Sequence, residues 1–162
     1  VQTPFGDILL ISLLGNIVPH TPTVANPLKT VDAILDKFKN TPRAATIVNF
    51  HGDYSSEKLI IGHYLAGRAT LVVGDHWHIP TADAQILPGG TAHITDVGMC
   101  GSLDSSLGVK TDVIVQRWLT QLPSRNELEM NGRRQLCGVM VDVDNSGKAN
   151  SIEQLRLVLD VS

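Results

Sequence analysis

The sequence predicts an α/β fold with mixed sheets and a C-terminal β-hairpin. Two observations lead to this class. Between residues 44 and 74 a β-branched run is followed by an amphipathic helical pattern and then by a second β-branched run, which is typical of a β-α-β unit with parallel strands. Near the end of the chain, two strand-like runs flank the turn residues Asn145-Ser146-Gly147. We expect a single domain over residues 1–162.

The first elements follow from hydrophobic periodicity and from breakers. The apolar run of residues 7–15 predicts a buried strand, and the Pro-rich stretch of residues 16–27 predicts a loop. Asn26-Pro27 is a typical helix start, and helical spacing of apolar residues extends that helix to about Lys39. The second strand covers residues 44–50 and leads directly into His51.

The second helix is predicted from Ser55 to Gly67. Its expected buried residues are Leu59, Ile60, His63, Tyr64 and Leu65. The third strand covers residues 69–74. Residues 79–108 are rich in Pro, Gly, Thr, Asp and Ser, with only residues 93–95 strand-like, so they predict a functional loop.

The last part of the chain predicts one more helix and the hairpin. The helix covers residues 111–122, and its residues expected to face inward are Val113, Ile114, Trp118 and Leu119. The two strands of the hairpin are predicted at residues 136–143 and 154–161, the second with a clear alternation of apolar residues.

Composition narrows the classes of function. The net charge is −3 and no Lys/Arg cluster is present, which disfavours nucleic-acid binding through a basic surface. The apolar stretch near the start, residues 8–14, is too short to span a bilayer, and no signal-peptide pattern occurs, so we expect no membrane association. Only Cys100 and Cys137 are present, without a CxxC motif, which favours a reduced, cytoplasmic setting.

Three histidines mark the ends of two neighbouring predicted strands. His51 closes the second strand, and His76 and His78 follow the third. The carboxyl ends of parallel strands meet at one edge of the sheet, where α/β folds bind ligands. Imidazole is a common ligand of Zn, Fe, Mn and Cu. This pattern predicts a metal site; the alternative is loop histidines satisfied by hydrogen bonds.

Other polar residues near these positions have less specific patterns. Asp53 and Asp75 flank the histidines and could orient an imidazole N–H, or could simply be solvated. His93 lies in the predicted functional loop and could line a pocket. Two further histidines are interpreted as packed or surface residues: His20 and His63.

The segment Asp142–Glu153 resembles an EF-hand calcium loop in its spacing. Acidic or polar residues occupy loop positions 1, 3 and 5, Gly occupies position 6 and Glu position 12. An EF-hand also needs a helix on each side, and both flanks here are strand-like. We therefore interpret the segment as a polar hairpin turn and keep calcium binding as the alternative.

Three segments together resemble one protein family. They are Asn49–Lys58, Gly74–Asp83 and Ile94–Met99. The chain resembles the calcineurin-like metallophosphoesterases, and within them the small bacterial branch of cyclic-nucleotide phosphodiesterases. The resemblance implies a four-layer α/β/β/α sandwich holding two divalent or trivalent transition metals (Fe, Mn or Zn), and a small phosphodiester substrate attacked by metal-activated hydroxide.

On that analogy, His51 and His76 bind one metal and His78 binds the other. Two residues depart from the family pattern, because Asp75 and Trp77 stand where Thr is usual. No catalytic residue is identified in this chain by the resemblance, since the general acid of the family lies in its first half. The chain therefore supplies ligands rather than the proton donor.

The first half of the family, with its carboxylate ligands and proton-donating His, has no counterpart here. Neither Gly6-Asp7 nor Gly15-Asn16 substitutes for it. The chain therefore resembles the C-terminal part of such an enzyme, and Val1 leads almost directly into a strand, as in a processed product or fragment. We expect the N-terminal half on another chain or segment, and an oligomer, because a half-sandwich leaves a sheet face and edges to cover.

Two alternatives to an enzyme half stay open. One is a non-catalytic half-domain that serves as a structural or interaction subunit of a larger assembly. The other, which ranks lower, is a binding module stabilised by calcium or another metal.

Overall fold

The computed structural model of the chain describes residues 1–15 and 25–160. The predicted loop over residues 16–24, with His20, lies outside these ranges. The helices and strands are, in chain order, β1 (Ile8–Leu14), α1 (Pro27–Lys37), β2 (Ala45–His51), α2 (Ser55–Tyr64), β3 (Leu71–Asp75), β4 (Gln85–Leu87), β5 (Thr91–Ile94), β6 (Gly101–Ser102), α3 (Thr111–Thr120), β7 (Arg134–Val143) and β8 (Ala149–Leu159). The predicted α/β class with mixed sheets and a C-terminal hairpin is confirmed.

The larger sheet has five strands in the order β1-β2-β3-β5-β4. Strands β1, β2, β3 and β5 are parallel, and β4 pairs with β5 in the antiparallel direction. The predicted β-α-β unit is therefore confirmed as β2-α2-β3. In its register Val48 lies opposite Val72, and His51 lies opposite Asp75.

Helix α1 begins as its sequence predicts. The side chain of Asn26 accepts hydrogen bonds from the backbone N–H groups of Leu28 (2.9 Å) and Lys29 (3.3 Å), and Pro27 occupies the first turn. Val31 is fully buried in the main core cluster. The buried members of that cluster are Ile11, Leu13, Val31, Val48, Phe50, Ile61, Leu65, Ala69 and Val72. This core fixes β1, β2 and β3 against the helices.

Helix α2 buries a different face from the one predicted. Leu59, Ile60, His63 and Tyr64 are exposed, and only Leu65 of the expected set is buried. The buried stripe is instead Lys58, Ile61, Gly62 and Leu65. The prediction left Lys58 out of the buried face, whereas this side chain is buried and forms an ion pair with Asp96.

Residues 79–108 contain more regular structure than predicted. Strands β4 and β5 form a hairpin through Pro88-Gly89-Gly90, in which both glycines have positive φ (86° and 84°). Gly in this conformation is free of the steric cost that a Cβ would add. The strand predicted at residues 93–95 begins at Thr91, and the two-residue strand β6 follows.

Strands β7 and β8 meet at a tight turn, and the hairpin interpretation of residues 142–153 is confirmed. The turn covers only residues 144–148, because β8 begins at Ala149 rather than at the predicted Gln154. One oxygen of the Asp144 carboxylate accepts hydrogen bonds from Ser146 N (2.8 Å) and Lys148 N (3.1 Å). Strands rather than helices flank the turn, so it is not an EF-hand.

The chain divides into two compact units. The first comprises Val1–Gly98 and Val139–Gln154, and the second comprises Met99–Gly138 and Leu155–Ser162. Within the first unit, Val139, Val141 and Ile152 of the hairpin pack against a buried cluster of Leu71, Ala92 and Ala149. The apolar side of the hairpin therefore covers one face of the five-stranded sheet in this unit.

Helix α3, in the second unit, differs from its prediction. It was expected to bury Trp118 and Leu119, but these side chains are 80% and 73% exposed, and α3 has no buried residue. The helix ends at Thr120, and its C-cap residue Gln121 adopts the left-handed conformation (φ 55°). The apolar residues of α3 follow a helical period, but the described residues do not cover the apolar face of this helix.

Over the described ranges, no helix has the length and apolar character needed to cross a membrane.

Gly74 of β3 provides a test of how closely β3 and the segment after β5 approach each other. A Cβ at this position would lie 1.9 Å from the backbone oxygen of Thr95. We expect Gly74→Ala to lower the free energy of unfolding by about 3 kcal/mol, because backbone atoms cannot move aside cheaply. Equilibrium urea unfolding measures this change.

The matched control is Gly138→Ala in β7, where an added Cβ would meet no atom within 4 Å. This variant should stay within about 0.5 kcal/mol of wild type. A change of similar size in both variants would show that the contact with Thr95 does not constrain Gly74.

Candidate metal centre

The site begins with two residues that face each other across β2 and β3. Because His51 and Asp75 are partners in the parallel register, their side chains lie on the same side of the sheet. The Nδ1 atom of His51 donates to Oδ1 of Asp75 over 2.7 Å. The amide of Asn49 donates to the other carboxylate oxygen over 3.3 Å. Asp75 therefore fixes the orientation and tautomer of the His51 ring.

His76 completes a line of four side chains. Its Nδ1 atom lies 3.2 Å from Nε2 of His51, and its Nε2 atom lies 3.3 Å from Oδ1 of Asp53. The two imidazole rings are nearly perpendicular, at 83°, with centroids 4.7 Å apart. The order in space is thus Asp75, His51, His76, Asp53.

The carboxylates decide which ring nitrogens carry protons. When His51 gives its Nδ1–H to Asp75 and His76 gives its Nε2–H to Asp53, neutral rings keep lone pairs on the two inner nitrogens. Two lone pairs that face each other at 3.2 Å repel each other. The arrangement is favourable when a proton or a metal cation lies between the inner nitrogens. A carboxylate behind each imidazole is a recurrent arrangement around metal-binding histidines.

The distance between the inner nitrogens fits one shared metal ion. With metal–nitrogen bonds of about 2.1 Å, two ligands lie about 3.0 Å apart at an octahedral angle and about 3.4 Å apart at a tetrahedral angle. The observed 3.2 Å falls between these values. Across residues 1–15 and 25–160, however, no group of three or more His, Cys, Asp or Glu side chains is arranged to hold a metal. The chain thus provides two converging donor nitrogens, and His78 does not join them in one such group.

The backbone of the histidine segment is held in an uncommon conformation. His76 has φ 113° and His78 has φ 66°, values that residues with a Cβ rarely adopt. Each such residue costs about 1–3 kcal/mol and persists only where its surroundings impose it. The strain lies at the predicted ligands, which is where functional sites commonly concentrate it.

A buried ion pair that the sequence pattern did not reveal lies next to this segment. Nζ of Lys58 and Oδ2 of Asp96 are 2.8 Å apart, and both side chains are 0% exposed. The same oxygen accepts the backbone N–H of Trp77 over 2.8 Å. Lys58 lies on the buried face of α2 together with Ile61 and Leu65. Its helical spacing therefore indicated burial, although its charge favoured an exposed position.

The candidate ligands are open to solvent. The side chains of His51 and Asp75 are 40% and 34% exposed, and those of His76 and Asp53 are 32% and 34% exposed. His78 is also exposed. A small solute can therefore contact part of each of these side chains.

His93, the candidate pocket residue, lies in the core instead. It is 0% exposed on β5, and its Nδ1–H donates to the carbonyl of Val72 over 3.1 Å. Its Nε2 atom has no hydrogen-bond partner among the described residues. Gly62 makes room for the ring, because a Cβ there would lie 2.7 Å from it. Burial lowers the pKa of His93 below its usual value of 6.5.

Comparison with known proteins gives consistent matches over nearly the whole chain. The model of the YmdB-like protein family matches residues 2–155. The 2',3'-cyclic-nucleotide 2'-phosphodiesterase of Bacillus subtilis (strain 168) is 41% identical over 153 residues, which cover 93% of this chain and 56% of that protein. A putative phosphatase/phosphodiesterase of Mycoplasma pneumoniae is 34% identical over 157 residues, covering 96% and 54%. The chain spans about half the length of these curated relatives.

Two solved structures share the fold. A crystal structure described as a novel phosphatase from Mycoplasma pneumoniae superposes with a TM-score of 0.88 at 32% identity, covering 99% of this chain and 56% of that one. A hypothetical protein from Thermus thermophilus superposes with a TM-score of 0.86 at 28% identity, covering 98% and 60%. The mixed α/β arrangement is therefore one that occurs within larger proteins.

The buried His93 predicts a pH dependence of stability. Its pKa is lower in the folded state than in the unfolded state, so the unfolded state binds more protons as the pH falls through about 6.5. Stability should be complete above this pH and should decrease below it, by at most about 1.4 kcal/mol per pH unit. Urea unfolding at pH 7.5 and 5.5 measures the loss.

His93→Gln keeps a side-chain donor for the Val72 carbonyl but removes the titrating group. We expect its stability to fall less than that of wild type between the two pH values. The control is His63→Gln on the exposed side of α2. The charge of His63 is the smallest of the contributions to the pKa of His93, so this variant should keep most of the wild-type slope. An unchanged slope in His93→Gln would contradict the assignment to His93.

Proposed function

The chain belongs to the YmdB-like protein family, and from this premise we propose that it forms the histidine side of a metal-dependent phosphodiesterase site. The observation that carries the proposal is the pair of inner nitrogens of His51 and His76, 3.2 Å apart, each ring backed by a carboxylate. We propose that these nitrogens bind one metal ion and that His78 binds a second.

Cyclic nucleotides are the proposed substrates, because the Bacillus subtilis relative is named as a 2',3'-cyclic-nucleotide 2'-phosphodiesterase. The reaction adds water across one P–O bond of the cyclic phosphodiester, which leaves a phosphate monoester and a free hydroxyl group. Two bound transition metals (Fe, Mn or Zn) would supply hydroxide at neutral pH and positive charge next to the phosphate oxygens.

The residues of this chain have definite tasks in such a site. Asp75 accepts the Nδ1–H of His51 and so directs the Nε2 lone pair of that ring toward the site. Asp53 lies against Nε2 of His76 and so favours a free lone pair on Nδ1. The carboxylates keep both rings in the tautomer that metal binding requires.

The described residues do not complete the coordination of two metals. Imidazoles are neutral ligands, and two dications need anionic ligands as well. We propose that an N-terminal half of the fold, on another chain or segment, supplies the carboxylates and completes the four-layer sandwich. Its association with this chain would produce the expected oligomer or complex.

A non-catalytic role as an interaction subunit is the second candidate. The observation that favours it is the apolar face of α3, which the described residues leave uncovered and where Trp118 and Leu119 are mostly exposed. Apolar surface of this kind often marks a contact with another protein. Under this alternative, the chain would form a stoichiometric complex without binding metal.

The test measures hydrolysis of 2',3'-cyclic and 3',5'-cyclic nucleotides together with the metal content of the purified chain. We expect weak or no turnover by the chain alone. Turnover should appear when the part of the Bacillus subtilis relative that this chain does not cover is added as a separate polypeptide. In that mixture His76→Ala should lower the activity at least about 100-fold, since loss of even an outer-shell partner of a metal ligand costs about 10–100-fold.

The control for this experiment is His63→Ala, which removes an exposed histidine on α2. Its activity should equal that of wild type. Robust metal-dependent turnover by this chain alone would refute the need for an N-terminal half. A stoichiometric complex that contains no metal and hydrolyses neither substrate would favour the interaction subunit.

A further inference from the structure

The buried ion pair of Lys58 and Asp96 is connected to the histidine segment at several points. Oδ2 of Asp96 accepts hydrogen bonds from both Nζ of Lys58 and the backbone N–H of Trp77, each over 2.8 Å. Its Oδ1 atom accepts the N–H of Gly98 over 3.0 Å. The carboxylate therefore joins helix α2, the segment after β3 and the segment after β5.

The side chain of Trp77 is fixed as well as its backbone. Nζ of Lys58 lies 4.0 Å from the centroid of the Trp77 ring, within the range of a cation–π interaction. The indole Nε1–H donates to the carbonyl of Asp53 over 2.8 Å. Trp77 is thus held from three sides, two of which involve the ion pair.

The contacts of Trp77 also affect its two neighbours in the chain. Trp77 lies between His76 and His78, which both have positive φ. An unrestrained segment would relax toward ordinary φ values, and both imidazoles would then move. Because both neighbours of Trp77 are strained, restraining Trp77 restrains the histidines.

We propose that Lys58 and Asp96 are positioning residues that hold His76-Trp77-His78 in its strained conformation and thereby keep His76 against His51. Lys58 acts through the indole ring and Asp96 through the backbone N–H of Trp77. The assignment of the histidines as metal ligands rests on the proposed function, whereas the restraint of the segment can be measured without metal.

The first test compares amide hydrogen exchange in wild type and in Lys58→Met. The methionine keeps much of the apolar stem but removes the charge. We expect the backbone amide of Trp77 to exchange at least about tenfold faster, whereas the amide of Val72, in the fully buried centre of β3, changes much less. Nuclear magnetic resonance resolves both sites and also the indole N–H of Trp77.

The matched control is Lys110→Met, which removes the lysine of an exposed ion pair with Glu127 (3.0 Å). Its Trp77 amide should exchange as in wild type. Equal acceleration of the Trp77 and Val72 amides in Lys58→Met would overturn the proposal, because it would indicate a purely structural ion pair. An unchanged Trp77 amide in a folded Lys58→Met protein would also overturn it.

A second pair of variants covers the case in which Lys58→Met does not fold. Trp77→Leu removes the ring, and Trp77→Phe keeps a ring for Lys58. We expect Trp77→Leu to weaken binding of Zn²⁺ by the chain about tenfold, and Trp77→Phe to restore affinity to within about threefold of wild type. Equal weakening in both variants would overturn the role of the Lys58–ring contact.

The two kinds of measurement separate the two proposals. If neither the wild-type chain nor its mixture with the added N-terminal polypeptide binds Zn²⁺, the proposed function fails, and hydrogen exchange still decides whether Lys58 restrains the segment. If wild type binds Zn²⁺ and the folded Lys58→Met protein binds it equally well, with an unchanged Trp77 amide, the positioning role fails and the metal site stands.

Discussion

The parallel pairing of β2 with β3 is the interaction on which the rest of the site depends. It sets His51 opposite Asp75, so that an imidazole and a carboxylate meet on the same face of the sheet. A slip by one residue would turn one of these side chains to the other face. The core prevents such a slip, because Val48 and Val72, partners in the same register, are both fully buried. The packing of the core therefore determines the position of His51 relative to Asp75.

The segment after β3 is less regular and needs its own support. Positive φ at His76 and His78 costs about 1–3 kcal/mol each. The compensating contacts come from the segment after β5, where the Asp96 carboxylate binds the backbone of Trp77. A hydrogen bond to a charged group contributes about 1.5–3 kcal/mol, which is comparable to the cost of one of the two strained residues. Gly74 allows this approach, because its missing side chain leaves room for the backbone of Thr95.

Sequence patterns predicted the parts of the structure that depend on local rules or on simple topology. The cap at Asn26, the β2-α2-β3 unit and the C-terminal hairpin all follow from short-range signals. The meeting of His51 and His76 follows from parallel strands ending at one edge. Asp53 and Asp75, expected beside the histidines, lie against them in the structure.

The features that sequence patterns did not reveal depend on partners far away in the chain. Lys58 is buried only because Asp96 neutralises it across 38 residues, and no helical pattern contains that information. The hairpin of β4 and β5 was hidden by the Gly and Pro content of its surroundings, although Gly89-Gly90 is a known hairpin signal. For α3, periodicity predicted an apolar face correctly but could not tell whether the described residues cover it.

The charges around His51 and His76 determine what this edge of the sheet can bind. Asp75 and Asp53 each lie against a ring nitrogen of a histidine, so their negative charge orients the rings of His51 and His76. A neutral imidazole brings no charge to a metal ion, and a phosphodiester would bring only a single negative charge. The imidazoles and the phosphodiester together would fall well short of offsetting the positive charge of two dications. Under the proposed function, a dimetal site at this edge would therefore require further carboxylates from outside the described residues.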